Sequence, residues 1–119
     1  MSRPEAVRRV KSYSSATGYV YQYYFYETRK VERPNPGTEY VYMVSRDRKK
    51  VFPLRILVRR DAVEDFARKE GRSLSGTEEY AVAKMCLFQA LDENDEVEAH
   101  PNLVVDRSNL IDFWGKLDL

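Results

Sequence analysis

Two side chains with catalytic or metal-binding chemistry occur only once in this sequence, namely His100 and Cys86. A metal site needs several convergent ligands, and a nucleophilic site needs a base beside the nucleophile. His100 precedes Pro101 in a polar stretch, whereas Cys86 falls among apolar residues with helical spacing. We therefore predict a solvated histidine and a buried cysteine, with no catalytic residue, no metal and no cofactor.

The carboxylates and glycines also lack a catalytic pattern. The acids of residues 92–98 are typical of a solvated loop, not of a carboxylate pair held in an apolar setting. Five scattered glycines form neither a G-x-G-x-x-G motif nor a Walker A motif. These patterns predict that the protein is not an enzyme.

Lys84 is unusual because a helical wheel places it inside an apolar arc, between Tyr80, Leu87 and Phe88. In one interpretation its stem lies along apolar surface while the ammonium reaches water or a carboxylate. In the other it is a desolvated amine with a lowered pKa, suited to Schiff-base chemistry or anion binding. Lys84 is thus a candidate ligand or charge site, and a small enzyme or ligand-binding protein centred on it is one alternative function.

Tyrosine is the other unusual feature, because seven of the nine tyrosines fall on the first two predicted strands. If the hairpin after the second strand closes through Arg48 and Lys49, Val41 and Met43 face the core. The opposite, outer face then combines tyrosine rings with arginines, which can stack on rings or pair with carboxylates and phosphates. The predicted partner-binding residues on this face are Tyr40, Tyr42, Arg55, Leu57 and Arg59. The alternative is that the tyrosines only fill a sheet that is covered on both sides.

Three strands are predicted to position these residues. Aromatic and β-branched residues indicate a strand over 19–28, and a second strand follows the Pro- and Gly-rich loop and spans about 39–45. Residues 51–60 alternate with a period of two, which places Phe52, Leu54, Ile56 and Val58 on the core face. Pro53 predicts an edge position for this third strand.

The second half of the chain is predicted to be helical. Asp61 with Glu64, and Ser75 with Glu78, have the spacing of capping boxes that begin two helices, the first ending at Gly71. The longer helix, about 77–92, should cover the sheet. A brief fourth strand over 102–105 and a last helix after Asp106 complete the order β-β-β-α-α-(β)-α.

Composition places the chain among small globular domains. It has 119 residues, with 43% hydrophobic residues, 33% charged residues and a formal net charge of +1. We expect one domain over residues 1–119, with a partly flexible basic segment over 1–17. No apolar run is long enough to span a bilayer, and one cysteine fits a reducing compartment, so we predict a cytoplasmic protein without membrane contact.

Together these observations predict an α+β protein, with a three- to four-stranded antiparallel meander followed by helices packed on one face. The predicted function is a small non-catalytic interaction module that binds another protein subunit or itself through the Tyr/Arg-rich sheet face. Val82 and Met85, on the otherwise polar arc of the long helix, favour a dimer. The alternative for the same face is single-stranded nucleic-acid binding.

Overall fold

The structure is a computed structural model that describes residues 9–117. Its five-stranded sheet has the order β1-β2-β3-β4-β5. The strands and helices, in chain order, are β1 (Lys11–Ser14), β2 (Val20–Val31), β3 (Gly37–Ser45), β4 (Phe52–Arg59), α1 (Arg60–Glu70), α2 (Gly76–Glu93), β5 (Asn102–Val105) and α3 (Leu110–Gly115). A short 3-10 turn, Val97–Ala99, precedes β5.

The predicted α+β meander followed by helices is confirmed, with two differences in the sheet. Strand β1, which is short and polar, was not predicted; it pairs antiparallel with β2, with Lys11 opposite Tyr23. Strand β5 exists but runs parallel to β4, with Ile56 opposite Leu103. A parallel pair needs a long crossover connection, and α1 and α2 supply it.

The predicted segment 1–17 lies partly outside the described residues, since residues 1–8 are not described. The part that is described contains β1. The assignment of one domain over residues 1–119 stays a prediction.

Strand β4 supplies the centre of the core. Phe52, Leu54, Ile56 and Val58 are all buried, which confirms the predicted alternation. The predicted edge position was wrong, because β4 lies between β3 and β5. Pro53 is tolerated there because β5 pairs only with residues 55–58. The backbone nitrogen of Arg55 donates to Pro101 O on that side, and two residues earlier Pro53 lies beyond the end of β5.

One of the two predicted capping boxes is present. Ser75 Oγ accepts from Glu78 N at 3.1 Å while Glu78 Oε1 accepts from Ser75 N at 2.8 Å, so α2 begins as predicted. Gly71 ends α1 in the left-handed conformation, with φ 78°. The Asp61 cap was wrong, because α1 begins at Arg60 and the Asp61 carboxylate binds the Arg59 guanidinium instead.

Helix α2 is apolar on more than one side because it contacts α3 as well as the sheet. Val82 is fully buried, so its predicted place on a polar arc was wrong, and Met85 is partly buried against the core. They therefore give no support to a dimer. The last helix begins at Leu110, later than predicted, because the Asp106 carboxylate binds the backbone of Ser108 and Asn109 in the preceding turn.

Candidate functional site

The structure divides the five predicted partner-binding residues between the two faces of the sheet. Strand β3 pairs with β4 so that Tyr40 lies opposite Ile56 and Tyr42 opposite Leu54. Tyr40 is 5% exposed and Tyr42 is fully buried, so both lie in the core and their predicted outer position was wrong. Arg55, Leu57 and Arg59 alternate with the core residues of β4 and point away from the helices, as predicted.

The error is a shift of one residue in the register. A two-residue turn through Arg48 and Lys49 would place Val41 and Met43 in the core, but the connection spans residues 46–51, and the last pair of the ladder is Val44 with Phe52. In that loop Arg48 adopts a positive φ of 65°, and its backbone nitrogen donates to Ser45 Oγ. The Asp47 carboxylate accepts from the backbone nitrogens of Lys49 and Lys50. Because side chains alternate along a strand, a one-residue shift exchanges the two faces of β3.

The surface opposite the helices, here called the helix-free face, contains an ion-pair network at its centre. Glu39 Oε1 lies 3.5 Å from Arg29 and 3.8 Å from Arg55, and the Glu39 side chain is only 18% exposed. Arg59 is paired with Asp61 at 2.9 Å. Both predicted partner-binding arginines are therefore already bound to carboxylates of their own chain.

Apolar residues surround this network. Val20 and Val104 face this side and are 48% and 43% exposed, and Met43 and Leu57 are partly exposed. At one end Val10, Met43 and Val51 line a recess of about 470 Å³. Gln22 Oε1 lies buried in the same recess, with no hydrogen-bond partner among the residues that the structure describes.

Lys84 lies on the other side of the sheet, where α2 meets β1 and β2. Its ammonium is 5.8 Å from the ring centroids of both Tyr23 and Phe88. Burial is the main factor that lowers the pKa of Lys84, and the neighbouring Lys11 ammonium lowers it further. Among residues 9–117 no carboxylate forms an ion pair with Lys84. Neither predicted interpretation is complete, since the ammonium is partly desolvated but faces another cation.

The cationic recess, as we name it, is a cavity of about 260 Å³ around this lysine pair. Arg9, Lys11 and Lys84 provide its charges, and no acidic residue is among the described residues that line it. Its aromatic wall includes Tyr80 and Phe25, whose rings meet edge to face at 5.4 Å. The nearby carboxylates have other partners: Glu79 accepts from the Tyr40 hydroxyl at 2.8 Å, and Asp92 accepts from the Tyr13 hydroxyl at 2.7 Å.

Sequence reasoning identified Lys84 but missed Lys11 and Arg9. The period-two alternation of Lys11 with Tyr13 was a weak signal for the strand that positions Lys11. The segment is too short and polar to predict a strand on its own, and β1 is defined by pairing with β2 and by contacts with α2.

Other candidate chemistry is absent from the part of the chain that the structure describes. Cys86 is buried, and burial raises the pKa of its thiol to about 12, so thiolate formation at neutral pH is suppressed. Residues 9–117 contain no group of three or more His, Cys, Asp or Glu side chains that could hold a metal ion. Within the same range no helix is long and apolar enough to cross a membrane.

Comparison with protein-family models, with curated proteins and with solved structures found no match to this chain.

Proposed function

We propose that this protein is a non-catalytic cytoplasmic interaction module that binds a second copy of itself through the helix-free face of its sheet. The observation that carries the proposal is that the helices cover one face only, while the other has exposed valines around a charged centre. Sheets that leave an apolar face uncovered commonly bury it against another element or subunit.

A second copy is the favoured partner because the face contains both members of its own ion pairs. A two-fold interface places the same patch on both subunits, so the patch must be complementary to itself. Glu39 supplies the acid and Arg29 and Arg55 supply the cations, all on this face and in contact with one another. Across a two-fold axis the same groups can pair between subunits, while Val20 and Val104 contribute apolar area.

The remaining parts of the proposal rest on side-chain chemistry. A non-catalytic role is supported by the buried Cys86 thiol, whose pKa is raised to about 12. A cytoplasmic location is supported by the single, free cysteine, which fits a reducing compartment. The proposal does not extend to single-stranded nucleic acid, because Tyr40 and Tyr42 lie in the core and Arg55 and Arg59 are paired with Glu39 and Asp61.

The test is the molar mass in solution, measured by light scattering and sedimentation over a range of protein concentrations. We expect a dimer for the unmodified protein and a monomer for Val20→Glu and for Val104→Glu. Both substitutions place a charge on the helix-free face at positions that are already about half exposed, so the fold should be retained.

Ile111→Glu is the matched control, because Ile111 is 49% exposed but lies on α3, away from the helix-free face. It should leave the dimer intact. A protein that stays monomeric at high micromolar concentration, or a dimer that Ile111→Glu dissociates and Val104→Glu does not, would contradict the proposal.

A further inference from the structure

Three residues of α2 contact β1 and β2, and one of these three contacts is electrostatically unfavourable. Tyr80, Lys84 and Phe88 are spaced one helical turn apart, so they point to the same side of α2. Phe88 stacks on Tyr13 at 4.2 Å and Tyr80 packs against Phe25, so the first and the last of these contacts are aromatic pairs. Between these two contacts Lys84 lies beside Lys11, so two ammonium groups face each other.

This lysine pair has no compensating carboxylate among the residues that the structure describes, and the Tyr23 and Phe88 rings are the groups that Lys84 faces besides Lys11. Among residues 9–117, none of Arg9, Lys11 and Lys84 forms an ion pair with a carboxylate, and no acidic residue lines the cavity beside them. Lys84 is half-buried, whereas Arg9 and Lys11 are exposed, so solvent screens part of the repulsion among these cations, and a bound anion would relieve the rest. Local conflicts of this kind are found mainly at functional sites.

We propose that the cationic recess binds the phosphate group of a small molecule. Two ammonium groups and a guanidinium, with a formal charge of +3, can neutralise the double negative charge of a phosphate, and the guanidinium can bind two of its oxygens at once. The wall of Tyr23, Phe25 and Tyr80 would contact the apolar part of a phosphorylated organic molecule. A volume of about 260 Å³, just below the roughly 300 Å³ at which drug-sized pockets begin, fits a small ligand.

This site lies on the helix-covered side of the sheet, so it does not depend on the proposed dimer. Lys84 and Tyr80 belong to α2, whereas the proposed interface is on the opposite face of the sheet. Loss of phosphate binding and loss of self-association can therefore be observed separately in the same protein.

The test is isothermal titration calorimetry with inorganic phosphate, pyrophosphate and phenyl phosphate, at ionic strength held constant with sodium chloride. We expect saturable one-to-one binding of at least one of these anions. The relative affinities distinguish the source of the group: tighter binding of phenyl phosphate indicates a phosphorylated organic molecule, and tighter binding of the inorganic anions indicates free phosphate or pyrophosphate. Either order supports the phosphate site.

Four variants locate the binding. Lys84→Met and Lys11→Met should each weaken binding by about tenfold or more, since each removes a charged hydrogen-bond donor. Lys84→Arg should retain most of the affinity, because the positive charge is kept. Lys69→Met is the control for net charge: the Lys69 side chain is 71% exposed on α1, where it pairs with Asp65 at 3.0 Å, it does not line the recess, and its removal changes the net charge by the same amount.

Three results would overturn the proposal. One is the absence of saturable binding of any of the three anions to the unmodified protein. The second is an equal loss of affinity in Lys84→Met and Lys69→Met, which would show diffuse binding to surface charge. The third is competition by a mixed-sequence single-stranded oligonucleotide at far lower concentration than by pyrophosphate, which would assign the cations to a polymer backbone. Circular dichroism of each variant confirms that it is folded.

Discussion

The hydroxyl of Tyr13 in β1 donates a 2.7 Å hydrogen bond to Asp92 Oδ2 near the end of α2, across 79 residues of sequence. The other oxygen of Asp92 accepts from Ala16 N at 2.9 Å. The Tyr13 ring also lies parallel to Phe88 at 4.2 Å. A four-residue edge strand is thus attached to the helix layer by side chains and not only by its pairing with β2.

Tyr13→Phe should lower the free energy of unfolding by about 1 to 2 kcal/mol at neutral pH, because a hydrogen bond to a carboxylate is lost while the ring stack remains. Burial and the Asp92 carboxylate raise the pKa of Tyr13 to about 12. The folded protein keeps this proton above pH 10, where the unfolded chain releases it, so the contribution of Tyr13 declines between about pH 10 and 12. Denaturant unfolding at neutral and alkaline pH measures both effects.

The control for that experiment is Tyr19→Phe, since Tyr19 is 40% exposed and its ring, not its hydroxyl, makes the recorded contacts with Arg46 and Tyr21. Tyr19→Phe should change the free energy of unfolding by close to zero. An equal effect of the two substitutions would show that the Tyr13–Asp92 bond does not stabilise the fold.

Tyr40 and Tyr42 offer a matched pair on the same face of the same strand. The Tyr40 hydroxyl donates to Glu79 Oε1 at 2.8 Å, whereas the buried Tyr42 hydroxyl makes no hydrogen bond within residues 9–117. The Tyr80 hydroxyl lies close enough to raise the pKa of Tyr42, after the larger effect of burial, but not at hydrogen-bonding geometry. Tyr40→Phe should therefore destabilise by about 1 to 2 kcal/mol, while Tyr42→Phe should be neutral or stabilising.

Chemical denaturation of both variants tests this contrast, and the far-ultraviolet spectrum verifies that the sheet is retained. The outcome that contradicts it is a larger loss of stability for Tyr42→Phe than for Tyr40→Phe. That result would mean that the Tyr42 hydroxyl has a partner in solution, for example an internal water.

Lys84→Met should raise stability at neutral pH in phosphate-free buffer, by no more than about 1.5 kcal/mol, because the stem length is kept and an unpaired charge is removed. Burial lowers the pKa of Lys84 in the folded protein below its ordinary 10.5. At pH values between these two pKa values, the unfolded chain binds more protons than the folded protein. The stability of the unmodified protein relative to the variant should therefore rise with pH across that window. The measured quantity is the difference in unfolding free energy between the two proteins.

If the difference in unfolding free energy does not change with pH up to 10.5, the Lys84 ammonium is fully solvated. A large destabilisation by Lys84→Met would instead indicate a buried ion pair, in which a carboxylate loses its partner. Both outcomes contradict the arrangement in which Lys84 faces Lys11. Lys69→Met, made on the exposed surface of α1, removes an ion pair with Asp65 and shows how much the loss of a paired surface lysine changes the comparison.

Local patterns were sufficient for much of the fold. The period-two alternation of β4 predicted its core face, because alternate side chains of a strand necessarily point to opposite sides. The spacing of Ser75 and Glu78 predicted the start of α2, since both capping bonds form within one helical turn. Helical spacing likewise predicted that Lys84 lies within an apolar arc. Each of these predictions depends on residues that are close in sequence.

The sequence by itself therefore determined the order of the elements from β2 onward, the core face of β4 and the unusual setting of Lys84. Only the tertiary structure decided which face of β3 meets the helices, because the 46–51 loop sets a register that differs by one residue from that of a two-residue turn. It also decided that Lys11 lies beside Lys84. No local preference holds residues 11–14 as a strand, and that segment becomes a strand only by pairing with β2 and packing against α2. Contacts between residues distant in sequence depend on the whole fold, which local periodicity does not encode.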